Sequence, residues 1–397
     1  MTLQILYLAH DLADAAIRRR VLMLKHGGAR VTVAGFQRAG NVLADDADVR
    51  TISLGRTSDG RFAQRIGAVV TASLNLKRQL SDVGRPDVII ARNLEMLALA
   101  ARASAVFGPD VPVVYECLDI HRLLLDEGLK GKALRAVEGH FGRNAQLLIT
   151  SSPAFIEHYF ARRSQLRLPS MLLENKVLAL DGQVGTTLPQ PRPPELGEPW
   201  KIGWFGAIRC RKSLSILSEF AARMDGRVKV VLRGRPAHSE FEDFDRQVEM
   251  APHVEFLGPY RNPEELDEIY SDIQFVWAID FFEEGLNSEW LLPNRLYEGS
   301  LHGAVPIALK STETGGFLAQ RGLGLRLDRA HPDDLVSLFE AMDRRRYGEL
   351  FDSIAATERD VWLAGREDCR ALVARLAALN TRPITDMASA TVSPVRS

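Results

Sequence analysis

Cysteine is scarce: Cys117, Cys210 and Cys369 are the only three in 397 residues. They lie far apart and are odd in number, which speaks against a disulfide framework, and none has a neighbour at zinc-ligand spacing. A reducing compartment fits that usage. No uninterrupted apolar stretch approaches the roughly 18 residues that a membrane-spanning helix needs. The opening MTLQILYLAH has neither a basic leader nor a long apolar centre, so it reads as a first strand and not as a signal peptide. The expectation is a cytoplasmic protein, at most peripheral at the inner face of the cytoplasmic membrane. A formal net charge of −1 provides no field for holding nucleic acid, and no nucleic-acid partner is expected. Neither half has a GxGxxG run after its first strand, which argues against a dinucleotide dehydrogenase.

What is present is ordinary globular material, 46% hydrophobic and 25% charged, in a chain longer than one core usually serves. Charge is uneven along it. Residues 1–180 carry 24 Lys and Arg against 17 Asp and Glu, and the remainder carries 26 against 34. The basic half suggests phosphate or anionic lipid nearby, with chance drift between two domains as the other reading.

Short apolar runs alternate with amphipathic segments. LQILYLA (3–9), RVTVAGF (30–36), PDVII (86–90), PVVYE (112–116) and QLLITSS (146–152) read as buried strands, with helices over 16–26, from about 95, and over 134–141. Pro and Gly crowd the aperiodic stretch 181–199, which reads as a linker. The alternation then restarts with KIGWFG, VKVVLRG, HVEFLG, DIQFVWAI and AVPIAL, and with helices over 214–224 and between 332 and 378. Strands alternating with helices predict parallel sheets covered on both faces. The fold class is therefore α/β: two Rossmann-like, doubly wound domains facing a cleft. Their expected limits are 1–180 and 200–380, followed by a frayed tail, 381–397.

Two stretches of the second domain carry chemistry. In GWFGAIRCRKS (203–213) a strand is expected to end at Phe205, Gly206 to make the turn, and a helix to begin near Ser213. Backbone N–H groups at such a turn and helix N-terminus suit a phosphate, and Arg209 and Lys212 would add fixed positive charge. A basic helix cap without ligand is the alternative. In NSEWLLPNRLYEGSLHGAVPIAL (287–309) Pro293 opens a helix from Asn294, Gly303 ends it, and Glu298 sits one turn inside. A carboxylate there could accept two ribose hydroxyls, or be a solvated surface Glu.

Together these stretches resemble the C-terminal domain of GT-B glycosyltransferases, especially the family 4-like enzymes. The shared features are Gly206, Arg209 and Lys212 after a strand, Phe256-Leu257-Gly258, and Glu298 followed by Gly303, Pro306 and a strand. The N-terminal half is similar in its strand–helix order and in the loop Asn175-Lys176-Val177. With LYLAHDLADAAIRRRVLML, the whole looks like bacterial exopolysaccharide enzymes of the succinoglycan and xanthan type. The resemblance implies that Arg209 and Lys212 hold the diphosphate of a nucleotide-sugar donor and Glu298 its ribose. It implies no bound metal or other cofactor, since cationic side chains and a helix terminus neutralise the leaving diphosphate; no DxD-type cluster lies in a suitable loop. The expected reaction moves a hexose, glucose by preference, from a UDP-sugar to a lipid-linked oligosaccharide. One departure stands out: the family's first Glu, eight residues before the ribose Glu, is Trp290 here. Asn287 and Ser288 are then expected to supply donor-sugar contacts through backbone amides.

The first domain should hold the acceptor and a base. CLDIHR (117–122) follows the PVVYE strand, so Asp119 and His121 fall at a strand's carboxyl end. An inverting transferase needs such a group to take the acceptor proton. Asp119 is the first candidate and His121 the second; a helix-capping Asp is the alternative. His10 and Asp11 form another pair, with His10 read as a core-edge residue. Lys130, Lys132, Arg135 and Arg143, interleaved with Leu123, Leu124, Leu125 and Leu129, suggest contact with an anionic membrane surface. A UDP-sugar epimerase and an inactive sugar-nucleotide-binding subunit of a polysaccharide assembly complex are the competing readings.

Overall fold

A computed structural model describes residues 2–38, 49–57, 62–180 and 189–381. Part of the expected linker (181–188) and nearly all of the expected tail (382–397) lie outside the described residues. The chain divides into two compact units, Met1–Glu174 with Ala364–Ser397, and Asn175–Leu363.

The first unit is built on β1 (Gln4–Ala9), α1 (Ala15–His26), β2 (Arg30–Arg38), β3 (Arg50–Thr57), α2 (Phe62–Gln79), β4 (Val88–Arg92), α3 (Asn93–Phe107), β5 (Val113–Glu116), α4 (Arg122–Leu125), α5 (Leu129–Gly142), β6 (Ala145–Thr150) and β7 (Ser170–Leu172). Its seven strands are ordered β3-β2-β1-β4-β5-β6-β7, and every ladder is parallel. Strands β1, β4 and β5 are apolar on both faces because helices cover both, as their unbroken runs predicted. The order reverses between β1 and β4, which makes the carboxyl ends of those strands the natural ligand crevice of this unit.

The second unit adds β8 (Val177–Leu178), β9 (Trp200–Ile208), α6 (Arg211–Arg223), β10 (Val228–Pro236), α7 (Phe244–Glu249), β11 (Val254–Phe256), α8 (Leu266–Ser271), β12 (Phe275–Trp277), α9 (Asn294–Leu301), β13 (Val305–Leu309), α10 (Glu313–Arg321), β14 (Leu325–Leu327), α11 (Pro332–Glu340) and α12 (Arg344–Ala355). Its parallel sheet is ordered β11-β10-β9-β12-β13-β14, with the reversal between β9 and β12. Trp204, Trp277, Phe220, Phe275 and Phe339 anchor the core on one side of that sheet.

The last elements are β15 (Leu363–Ala364) and α13 (Arg366–Ala377). Sequence alternation assigned the final helix to the second domain, but α13 packs on α1 of the first unit. Gly27, just past α1, is the reason: a Cβ there would lie 2.2 Å from the Cys369 carbonyl oxygen. The boundary also falls at Glu174/Asn175, a few residues before the expected one. The loop α4–α5 corrects another expectation. Leu124 and Leu125 are buried and Arg135 donates to the carbonyls of Leu124 and Asp126, so of those four leucines only Leu129 is strongly exposed.

Beneath the first crevice lies a buried charge cluster. Glu116, fully buried at the end of β5, accepts hydrogen bonds from Tyr7 on β1 and Arg20 on α1, and pairs with Arg92 at the end of β4 (3.3 Å). Burial alone would push this carboxyl up, but Arg20 and Arg92 outweigh it and hold it at about 2, from an ordinary 4.5. Both arginines are themselves buried, so the carboxylate is the counter-charge that lets three elements meet there. Glu116→Gln strands two buried cations, and its expected cost is about 3–5 kcal/mol in a urea melt at neutral pH. Because the folded value lies below the unfolded one, this stabilisation is present above about pH 4.5 and lost as pH falls towards about 2. A variant as stable as the parent would show that the cluster contributes nothing.

Candidate functional site

In the second unit, β9 does not stop at Phe205. It continues through Gly206, which pairs with Gly234 of β10, to Ile208. Gly206 is thus inside the strand, at φ 107°, and a Cβ on Gly234 would lie 1.9 Å from its carbonyl oxygen. The two glycines permit a close backbone approach, and the chain turns later, at Arg209 and Cys210. Helix α6 starts at Arg211, so Lys212 lies in its first turn. Ser213 locks that turn: its N–H donates to the Cys210 sulfur (3.3 Å), and its hydroxyl accepts from the Trp277 indole on β12 (3.1 Å). The corner is therefore fixed across the β9–β12 crevice.

Arg209 and Lys212 are both brought there, and both face the loop after β12. The Arg209 guanidinium lies 4.5 Å over the Phe282 ring and 3.7 Å from Asp280. Lys212 Nζ lies 4.4 Å over the Phe281 ring and bonds both Glu284 oxygens, at 2.6 and 2.8 Å. Asp280 is itself organised by the loop, accepting from the Phe282 N–H (2.7 Å) and the Ser288 hydroxyl (3.2 Å). Ser288 is buried, and its own N–H is directed to the Glu283 carbonyl (3.3 Å). In this arrangement the residue pins the loop, with its amide turned to the chain itself. Asn287 is buried in the same single turn of 3-10 helix.

Asn294 opens α9 and is exposed, with Pro293 as its cap. Glu298 is no solvated surface residue. At 6% exposure it accepts from Asn262 Nδ2 (2.9 Å) and the Tyr270 hydroxyl (3.0 Å). Burial and the Glu298 charge hold Tyr270 well above the usual phenol range, so it stays a donor that orients the carboxylate. One turn before Glu298, Arg295 is buried, donates to the Ile279 carbonyl (2.9 Å), and has its pKa lowered by burial. Its Nε has no hydrogen-bond partner among the described residues. Sequence reading missed Arg295 and, in the loop DFFEEG, Asp280, Phe281 and Phe282. The signal was available, since a loop following a strand at the order reversal is where ligands collect.

In the first unit Asp119 is exposed, one loop beyond Glu116. His121 caps α4, its Nδ1 accepting from the Leu123 N–H (3.3 Å). Burial lowers its pKa, with Arg65 and Arg122 adding to this and Glu95 and Asp119 opposing it. A neutral ring whose lone pair faces a peptide N–H is a poor proton acceptor, so the geometry favours Asp119 over His121. His10 lies 3.4 Å from Asp14, the residue that caps α1, while Asp11 bonds the Ala13 N–H (3.0 Å). His10, Arg65 and Glu95 line a shallow hollow at this end of the sheet. Among the described residues no three His, Cys, Asp or Glu side chains gather to hold a metal ion.

Comparison with known proteins bears on the fold and the family. A family described as glycosyl transferase 4-like domain matches residues 2–167. The succinoglycan biosynthesis protein ExoL of Rhizobium meliloti (strain 1021) is 57% identical over 393 residues, covering 97% of each chain. Among solved structures, the sucrose-phosphate synthase of Thermosynechococcus elongatus superposes with a TM-score of 0.65 at 14% identity, over 95% of this chain and 96% of that one. HepE from Anabaena, solved in complex with UDP and glucose, superposes with a TM-score of 0.64 at 15% identity, over 95% and 99%. Identity that low speaks for the fold alone, but the whole-length match at 57% speaks for kinship. The chain thus belongs to the glycosyltransferases of the GT-B fold, in the family 4-like group, as a relative of the succinoglycan biosynthesis protein ExoL.

Proposed function

We propose that this glycosyltransferase moves a hexose, glucose by preference, from a UDP-sugar to a lipid-linked oligosaccharide in exopolysaccharide assembly. The observation that carries the donor reading is the convergence of Arg209, Lys212 and buried Arg295 on the β9–β12 crevice, with Glu298 oriented on the same helix as Arg295. Cations held at a helix N-terminus stabilise a departing diphosphate as charge develops on it, without metal. Glu298 would take the ribose hydroxyls. HepE's complexes with UDP-glucose and with UDP and glucose support the uridine donor and the choice of sugar. The name of the 57% identical relative supports the exopolysaccharide setting. In the first unit Asp119 would accept the acceptor's hydroxyl proton, which tilts the reading towards inversion.

In this structure the Glu284 carboxylate sits on Lys212, where a diphosphate oxygen would sit. A donor must displace it, and Glu284 then acts as an internal competitor. The test is calorimetry of the purified protein against UDP, GDP, ADP and NAD. A selective UDP response is expected; none to any nucleotide would overturn the donor assignment. Lys212→Ala should weaken UDP binding by about 2–3 kcal/mol, the value of a charge-assisted contact. Glu284→Gln should do the opposite and tighten it several-fold; weaker binding would make Glu284 a donor ligand instead. Asp119→Asn should leave UDP affinity intact while turnover falls about a hundredfold or more, and full activity in that variant would remove Asp119 from the mechanism.

A further inference from the structure

Helix α2 is covered on one side only. Ala72 and Leu76 are buried, and the helix packs on α3 and β3 within the first unit. Its other side should be charged, as solvent-facing helix surfaces are. Instead Ile66, Val70 and Leu74 are 48%, 54% and 77% exposed. Four-residue spacing stacks them in one stripe, with exposed Gly67 and Thr71 beside them. One turn further, on the same face, come exposed Lys77 and Arg78.

Charge around the stripe is mostly positive: Glu95 on α3 pairs with Arg65 (3.3 Å), and exposed Asp82 lies beyond the end of the helix. No Asp or Glu occurs from residue 62 to 81, and the described residues of the neighbouring β3 add exposed Arg50 and Arg56 without an acid. Three large apolar side chains in a row, ended by cations on a helix that carries no acid of its own, match a surface of buried acyl chains and anionic headgroups. They do not match water. At about 1.5 Å per residue the stripe from Ile66 to Arg78 runs roughly 18 Å, enough to lie along a bilayer surface. No helix among the described residues is long and apolar enough to cross a membrane.

We infer that the outer face of α2 docks on an anionic bilayer, with Ile66, Val70 and Leu74 seated at the acyl boundary and Lys77 and Arg78 against headgroup phosphates. This rests on the lipid-linked acceptor proposed above, which the enzyme would meet at such a surface. It moves the membrane face from the α4–α5 region, where two of the leucines are buried, to α2.

The test is flotation of the full chain with phosphatidylcholine vesicles, with and without phosphatidylglycerol. Binding is expected with phosphatidylglycerol and should be much weaker without it. The exposed-face variant Ile66→Ser/Val70→Ser/Leu74→Ser should lose binding while keeping the parent's thermal melt. Lys77→Gln/Arg78→Gln should weaken it by roughly fivefold per cation at low salt. Undiminished binding of the triple variant, or indifference to phosphatidylglycerol, would overturn the proposal. So would light scattering that finds a dimer abolished by the triple variant, since the stripe would then join two copies. Calorimetry with UDP on the same samples separates the two readings: UDP binding retained in the triple variant isolates the surface, whereas a parent that floats but ignores UDP leaves the surface and removes the donor.

Discussion

A parallel sheet imposes the constraint on which this molecule depends. Each strand must be followed by a crossover that returns to the starting edge, so all the loops that follow strands gather at one end of the sheet. Where the strand order reverses, two crossovers part to opposite faces and leave a crevice. Both units use this device, between β1 and β4 and between β9 and β12. Every residue discussed as functional lies in or just beyond a carboxyl-end loop: Asp119 and His121 after β5, Arg209 and Lys212 after β9, Asp280 and Glu284 after β12. Glu298 and Arg295 come one short helix-entry later.

The crevices handle charge differently. In the first unit buried Glu116 pairs with two buried arginines, which ties β1, β4, β5 and α1 together. Those arginines have a structural partner of their own. In the second unit the cations sit at a half-exposed rim, on aromatic rings and carboxylates of one loop. Ion pairs in such a position are weak and exchangeable. That contrast separates a charge cluster that holds a fold from one whose partners can exchange.

Local rules read the chain well where the signal was local. Unbroken apolar runs mark the buried parallel strands, and the Pro293–Gly303 frame marks α9. They read it poorly where the deciding contact was distant. Gly206 carried the mark of a turn, yet pairing with Gly234 keeps it in a strand. RTISLGRT alternates Arg, Thr, Ser and Gly with few apolar residues, so β3 had no clear apolar pattern, and it forms because β2 offers an edge. The final helix carried no address at all; a missing side chain at Gly27 supplied it.

The sequence by itself determined the α/β class, the two-fold repetition of strand and helix, and the residues Arg209, Lys212 and Glu298 as members of one recognisable pattern. Periodicity and short motifs depend only on neighbours along the chain, so they survive without coordinates. Tertiary structure alone decided what each of those groups faces. It set Glu284 on Lys212, buried Glu298 under Tyr270 and Asn262, turned His121 into a helix cap, and left the stripe on α2 uncovered. Partners tens of residues apart are chosen by packing, and no local pattern encodes that choice.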